Sequence, residues 1–365
     1  MQYIHQLKNW PKLTWDKDFL LTKTEKVRLN QGRLLGKMER LGFKNQKEAI
    51  LQTLTEDILK TSEIEGEFLD RNQVRSSVAR QLGMDVVGLV KSERNIDGLV
   101  EMMLDATQNY ETPLTTERLF AWHAALFPTG HSGISKIRVG AWRNDAKGPM
   151  QVISGPVGKS KIHFQAPDAK KIIKEMGYFL KWANSKKPID ALLKAGIAHF
   201  WFVTIHPFED GNGRIARAIA DMFLARSEDS PQRFYSMSTQ ISTERKTYYN
   251  ILESTQKGNL DITNWLEWFL SCLDRALTNS EYILSKILKK ATFWEININI
   301  KFNDRQRKVI NRLLEGLEGK MTSSKWAAIA KCSQDTASRD IEELLKNKIL
   351  KKNPEGGRNS SYSLV

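Results

Sequence analysis

The segment that most constrains this chain runs from Trp201 to Arg217. An apolar stretch, Trp201-Phe202-Val203-Thr204-Ile205, ends at His206-Pro207. Pro207 lacks a backbone donor and disfavours helix at the residue before it, so His206 is held in a tight loop. Gly211 and Gly213 let the loop backbone come close to a ligand. A helix then begins near Asn212, and a helix start offers free N–H groups and a positive dipole end to an anion. Arg214 and Arg217 are three residues apart and project from one face near that start. Two guanidinium forks can bracket phosphate oxygens. Asp210 beside them is a hard oxygen ligand of the kind Mg²⁺ takes. His206 is a base that works near neutral pH. A helix-capping loop would account for a lone His-Pro or a lone Gly-Asn-Gly. A base, a metal carboxylate and an anion cradle within twelve residues point instead to phosphoryl or nucleotidyl transfer.

Around this segment helical periodicity dominates. Val27, Leu34, Leu35, Met38 and Leu41 share one face of a helix over 23–41, and Ile50, Leu51, Leu54, Ile58 and Leu59 that of a second over 46–64. Further helices are expected at 71–82, 93–108, 115–127, 168–184, 189–204, 212–226, 243–256 and 263–288. Met150 to Pro167 holds Val152, Ile153, Ile162 and Phe164 around turn residues and reads as a β-hairpin. Within it, Gly155-Pro156-Val157-Gly158-Lys159-Ser160 has two residues between its glycines where a P-loop needs four, so it is a hairpin tip. Phe293–Phe302 reads as a linker. The fold class is therefore all-α, with a small β-hairpin flap and a separate C-terminal module. The expected division is 1–85, 86–290 and 291–365.

At 365 residues the chain exceeds one ordinary core. No apolar run reaches the roughly 18 residues that span a bilayer, and no signal peptide is read at the N-terminus. Cys272 and Cys332 form neither a disulfide framework nor a metal spacing, so a reducing cytoplasm is expected. The net charge of +14 favours nucleotides, nucleic acid or acidic proteins without choosing among them.

The loop matches the HxFx[DE]GNGRxxR pattern of the Fic family at His206, Phe208, Asp210, Gly211, Asn212, Gly213, Arg214 and Arg217. The chain thus resembles Fic proteins, which transfer AMP from ATP to a hydroxyl of another protein. The resemblance implies that His206 takes the proton of a Ser, Thr or Tyr hydroxyl as it attacks the α-phosphate. It gives Asp210 to Mg²⁺. It builds the phosphate cradle from Gly211, Asn212, Gly213 and Arg214, with Arg217 on the far phosphates and Phe208 as a core anchor. It makes the hairpin a flap that aligns a target strand. It also brings Tyr248, Tyr249 and Gln256 to the adenine pocket, although helix packing equally explains both tyrosines.

Thr61-Ser62-Glu63-Ile64-Glu65-Gly66 resembles the family's inhibitory pattern [ST]xxxE[GN] at Thr61, Glu65 and Gly66. The implied role is autoinhibition, with Glu65 pairing to Arg217 and denying it to the γ-phosphate; a surface glutamate at a helix end is the plain alternative. Trp10-Pro11, Trp15-Asp16 and the stretch Gln31–Gly36 resemble an N-terminal helical region fused to some Fic proteins.

From Lys301 onward there are 14 Lys and Arg against 8 Asp and Glu. Helices at Arg305–Leu314, Ser323–Ala330 and Gln334–Ile341, then strands at Ile349–Lys352 and Tyr362–Leu364 about a Gly356-Gly357 turn, look like a winged helix-turn-helix. Gln334, Thr336 and Arg339 would face a groove, with DNA and protein both open as partners. The function read here is protein AMP transfer, self-modification included. The alternatives are a DNA-binding regulator with a nucleotide-sensing core, another nucleotide donor, or removal of AMP. A homo-oligomer and the identity of the target stay open.

Overall fold

The computed structural model describes residues 2–39, 42–84, 88–146, 148–155, 161–315, 317, 319–354 and 360–365. It divides into two compact units, Met1–Ser280 and Glu281–Val365. The chain is mostly helical with small antiparallel sheets, as the periodicity predicts.

In the first unit α1 (Lys17–Glu39), α2 (Phe43–Ile64), α3 (Arg71–Gln81), α4 (Arg94–Gln108) and α5 (Thr116–Leu126) lead to two hairpins. These are β1 (His131–Ser132) with β2 (Ser135–Lys136), and β3 (Gln151–Ser154) with β4 (Lys161–Gln165). Then come α6 (Ile172–Ala183), α7 (Ala191–Ile205), α8 (Asn212–Glu228), α9 (Met237–Thr243) and α10 (Arg245–Gln256). A long α11 (Thr263–Ile296) begins in the first unit and ends in the second.

The core is organised by α7, which is apolar on every side and buried from Leu192 to Ile205 apart from Lys194. Such a helix has to be wrapped by others. Its start is fixed by Asp190, whose carboxylate accepts from Leu192 N at 2.9 Å. Beside it α8 is buried from Arg214 to Ala225. Trp265 of α11 is fully buried and donates to Gly196 O at 2.8 Å.

The β3–β4 hairpin lies where the sequence predicts the flap. Its register is Gln151↔Gln165, Val152↔Phe164, Ile153↔Ile162 and Ser154↔Lys161, with a bulge between Val152 and Ile153. Phe164 is buried against Tyr3, with ring centres 5.1 Å apart. Ile153 and Ile162 face outward. The tip from Pro156 to Ser160, the Gly356-Gly357 turn and Leu41 lie outside the described residues.

The helix expected over 243–256 is α10, after a short α9 that ends at Thr243. Glu244 between them has its carboxylate gripped by both Arg275 Nε and Arg275 Nη2 at 2.6 Å. One expectation fails. The linker expected at 293–302 is helical as far as Ile296. Phe293 and Trp294 pack on the core of the second unit, and Trp294 Nε1 donates to Asn311 at 3.0 Å, so burial there extends the helix. The β1–β2 hairpin was not anticipated, because two-residue strands carry no periodicity.

The second unit holds α12 (Asp304–Glu315), β5 (Met321–Thr322), α13 (Ser323–Ala330), α14 (Gln334–Lys346), β6 (Leu350–Lys352) and β7 (Ser361–Leu364). The sheet order is β5-β7-β6, all antiparallel. Fully buried Trp326, Val309 and Ile310 anchor its own core. Among the described residues no helix is long and apolar enough to cross a membrane.

Candidate active site

His206 ends α7 in the left-handed region, at φ 51°. That geometry turns the chain sharply into the loop before α8, and Pro207 after it cannot continue the helix. The imidazole Nδ1 lies 3.2 Å from Val203 O. A carbonyl can only accept, so Nδ1 carries the proton and Nε2 keeps its lone pair. Burial pushes the His206 pKa down to about 4, helped by the nearby Arg143 guanidinium. The ring is therefore neutral at pH 7 and equipped to take a proton.

The loop is held from inside and from outside. Inside, the buried Asn212 side chain accepts from Phe208 N at 2.9 Å and donates to Phe208 O at 2.9 Å. Both polar ends of the Asn212 side chain, which was expected to line the cradle, also bond to the loop itself. Phe208 is fully buried as the expected anchor and stacks on His123 at 4.2 Å. His123 Nδ1 accepts from Gly140 N at 3.1 Å, so its Nε2 donates to Asp210 O at 3.2 Å. Burial pushes His123 down to about 4, which keeps that neutral pattern.

Outside, a residue that the sequence reading missed does most of the holding. Arg143 is buried. Its Nε donates to His206 O at 2.8 Å, its Nη2 to Pro167 O at 2.5 Å and its backbone N–H to Pro207 O at 2.9 Å. Asp145 takes Nη1 at 2.8 Å. One guanidinium thus ties the His206 loop to the base of the β3–β4 flap. The only hint in sequence is an arginine after Gly140-Ala141-Trp142, far from the motif.

Asp210 points its carboxylate to Ser132 Oγ and to Gly211 N, the latter at 2.6 Å. It is a single carboxylate: among the described residues no group of three or more His, Cys, Asp or Glu could hold a metal. Gly211, at φ 78°, precedes the first turn of α8. A Cβ on Gly213 would sit 2.1 Å from Glu65 Oε1, so a side chain there would push the Glu65 carboxylate aside.

Both motif arginines are met by the end of α2. Arg217 is buried and fully engaged on one edge: Nε donates to Thr61 Oγ1 at 2.7 Å, and Nη2 to Thr61 O at 2.8 Å and Glu65 Oε1 at 2.7 Å. Arg214 Nη1 donates to Glu67 Oε2 at 2.6 Å and its guanidinium lies 5.1 Å over the Phe127 ring. Gly66, at φ 86°, supplies the left-handed turn between the two glutamates. Glu67 went unnoticed in the sequence. The buried Arg214 Nε and Arg217 Nη1 have no partner among the described residues. Unspent buried donors of this kind suit an anion. A cavity of about 450 Å³ opens beside Arg214, lined also by Glu67, Phe127, Thr129 and Ser132.

The residues expected at an adenine pocket divide. Tyr249 is half-buried on α10 and its hydroxyl donates to Ile64 O at 3.3 Å, next to Glu65. Tyr248 is a core residue: it is buried, its hydroxyl is 2.9 Å from His199 Nε2, and Trp265 and Trp268 surround its ring. Gln256 is buried and donates to Thr204 at 3.3 Å.

Residues 113–224 match the Fic/DOC family, and residues 3–84 match a "Domain of unknown function (DUF4172)". The protein adenylyltransferase Fic of Aedes aegypti is 32% identical over 104 residues, covering 28% of this chain and 19% of the relative. That of Nematostella vectensis is 31% identical over 115 residues, covering 30% of this chain and 25% of the relative. The chain thus spans about a fifth to a quarter of the curated relatives it matches. A Fic family protein from Desulfovibrio desulfuricans G20 shares the fold with a TM-score of 0.52 at 19% identity, over 94% of this chain and 96% of that one. A Fic domain containing signaling protein from Bacteroides thetaiotaomicron VPI-5482 does so with a TM-score of 0.52 at 20% identity, over 74% of this chain and 98% of that one. Residues 113–224 of the chain thus carry a Fic/DOC domain.

Proposed function

We propose that this chain is a protein adenylyltransferase that moves AMP from ATP to a Ser, Thr or Tyr hydroxyl of a target protein and is restrained by Glu65. The carrying observation is the neutral His206 ring, with Nε2 free of its Nδ1 contact, held beside the α8 start and its two arginines. His206 accepts the hydroxyl proton. Free N–H groups of the α8 start and the unspent edges of Arg214 and Arg217 hold phosphate oxygens. Asp210 would hold Mg²⁺, which takes one or two protein carboxylates together with substrate phosphates and supplies charge neutralisation there. The outward Ile153 and Ile162 offer an apolar face to a target strand that adds to the flap. Glu65 spends Arg217 on itself and sets a carboxylate over Gly213, where a phosphate would meet a like charge.

The test is α-labelled ATP with Mg²⁺ and cell lysate, comparing wild type, Glu65→Gly and His206→Ala. Label should appear on proteins with Glu65→Gly, be far weaker with wild type, and be lost with His206→Ala by roughly 10²–10⁴-fold. No label with Glu65→Gly, in a protein that binds ATP, would overturn the reading.

A second reading concerns residues 301–365. Three helices and a three-stranded sheet support a winged helix, and Gln334 and Arg339 are exposed on α14. Duplex DNA binding that weakens steeply with salt would support this reading; its absence would leave a protein-binding module. The functional division we adopt is 1–85, 86–290 and 291–365.

A further inference from the structure

The last turn of α2, Thr61 to Ile64, leads directly into Glu65, and its four carbonyls have no N–H farther along the helix to meet them. Each accepts elsewhere. Ser62 O takes Glu65 N and Glu67 N, both at 3.0 Å, and Glu63 O takes Gly66 N at 3.0 Å, so the turn itself covers two. Thr61 O takes Arg217 Nη2 at 2.8 Å. The fourth, Ile64 O, is met from α10: Arg245 Nε donates to it at 2.8 Å and the Tyr249 hydroxyl at 3.3 Å. A cation at a helix C-terminus also faces the negative end of the dipole.

Ile64 O belongs to the peptide unit that ends in Glu65 N, and that unit is planar. Holding the oxygen therefore fixes the plane from which Glu65 Cα departs. The Ile64 side chain is fully buried. Upstream, the same helix is seated on α9 and the residue before it: Asp57 accepts from Ser236 Oγ and from Ser238 N, the latter at 3.2 Å, and Glu63 accepts from Ser242 Oγ at 3.1 Å. The end of α2 is thus gripped twice, by Arg217 of α8 at Thr61 and Glu65 and by α10 at Ile64. Arg245 is itself exposed, with its guanidinium 5.3 Å over the Tyr249 ring. Replacing it empties no core.

We infer that Arg245 is a positioning residue for the restraint: it clamps Ile64 O, with Tyr249 as the second donor, and so keeps the Glu65 carboxylate on Arg217. This rests on the transfer reading and the Glu65 restraint above. Arg245 acts through the Ile64 carbonyl and takes no part in the proton or nucleotidyl step. Without it, Ile64 O keeps only the longer bond from Tyr249. The Ile64–Glu65 peptide then turns more freely, the carboxylate leaves Arg217 more often, and the Arg217 edge it occupied opens to a phosphate.

The experiment measures label transfer from α-labelled ATP with Mg²⁺ and cell lysate, using the full chain. Wild type, Arg245→Met and Arg245→Lys are compared, each with Glu65 in place and with Glu65→Gly. Arg245→Met keeps the stem over Tyr249 and removes every donor. With Glu65 present it should raise transfer by roughly threefold to tenfold, less than Glu65→Gly does. Arg245→Lys keeps a cation and a donor and should stay nearer wild type. In Glu65→Gly, Arg245→Met should add nothing, because no carboxylate remains to be positioned; a general loosening of α10 would change transfer in both backgrounds. Arg245→Met no faster than wild type, while Glu65→Gly is faster, overturns the clamp and leaves the transfer and restraint readings standing. An equal gain from Arg245→Met in both backgrounds also overturns the clamp. Glu65→Gly no faster than wild type overturns the restraint and the clamp together. No label on any protein overturns the transfer reading with them.

Discussion

The Glu65 carboxylate and the Arg217 guanidinium meet at 2.7 Å across 152 residues of chain, with Arg217 almost wholly buried and Glu65 part-exposed. A hydrogen bond to a charged group contributes about 1.5–3 kcal/mol, and each 1.4 kcal/mol is tenfold in an equilibrium. Removing the carboxylate should therefore raise AMP transfer by roughly tenfold to a hundredfold. Arg217→Ala should not copy that gain, because the phosphate contact is lost along with the lock. Glu67 is more exposed and grips Arg214 alone, so Glu67→Gln should give a smaller rise. Label incorporation for the three variants checks the order. Equal rates for wild type and Glu65→Gly, both folded and binding ATP, would reduce the motif to an ordinary helix end.

Thr61 offers an independent handle on the same lock. Its hydroxyl accepts from Arg217 Nε, and both groups are buried. Thr61→Val keeps the volume and leaves that N–H unsatisfied, at a cost of about 1–3 kcal/mol. The end of α2 should loosen on α8. Basal transfer should rise, though less than in Glu65→Gly, and thermal stability should fall. A variant that melts lower yet stays as silent as wild type would separate the Thr61 contact from restraint.

Arg143 positions the His206 loop through its bonds to His206 O and Pro207 O. Lysine cannot reproduce its fork to His206 O, Pro167 O and Asp145 together. In a Glu65→Gly background, Arg143→Lys should lower kcat by about a hundredfold while ATP affinity holds, since a displaced base loses the near-attack geometry. A fall in ATP affinity with kcat intact would assign Arg143 to nucleotide binding instead.

The motif was readable in sequence because its parts are local: His206, Asp210, Gly211, Gly213, Arg214 and Arg217 fall within twelve residues, and backbone constraints link them. Glu65 was readable as a pattern, yet only the structure brings its carboxylate over Gly213. Arg143 was not readable, because its partners are carbonyls and any residue supplies a carbonyl. Asn212 illustrates a different limit. Its identity fits a cradle equally well as a ligand or as a brace, and only the structure shows the paired bonds to Phe208 that make it a brace as well. Tyr248 and Tyr249 are adjacent and chemically alike. Helical rotation of about 100° per residue sends one to the core and the other toward Glu65.

The His206 pKa gives a pH signature that an ordinary histidine would not. Burial pushes the ring down to about 4, below its usual 6.5, and the positive Arg143 acts in the same direction. Only the neutral ring can accept a proton, so competence is present above the folded pKa and is lost as pH falls through it. Glu65 acts in the opposite sense, favouring the charged ring. In Glu65→Gly that anion is gone, so the limb cannot move upward toward 6.5. The kcat/KM of Glu65→Gly, which reports the free enzyme, should stay nearly flat from pH 8 to pH 5, where an unperturbed imidazole would already be mostly charged. The fall should come only near pH 4. Circular dichroism at each pH confirms that the chain is still folded. A limb centred near 6.5 in folded protein would mean that the ring is solvated during catalysis, and that the burial around His206 opens before the proton moves.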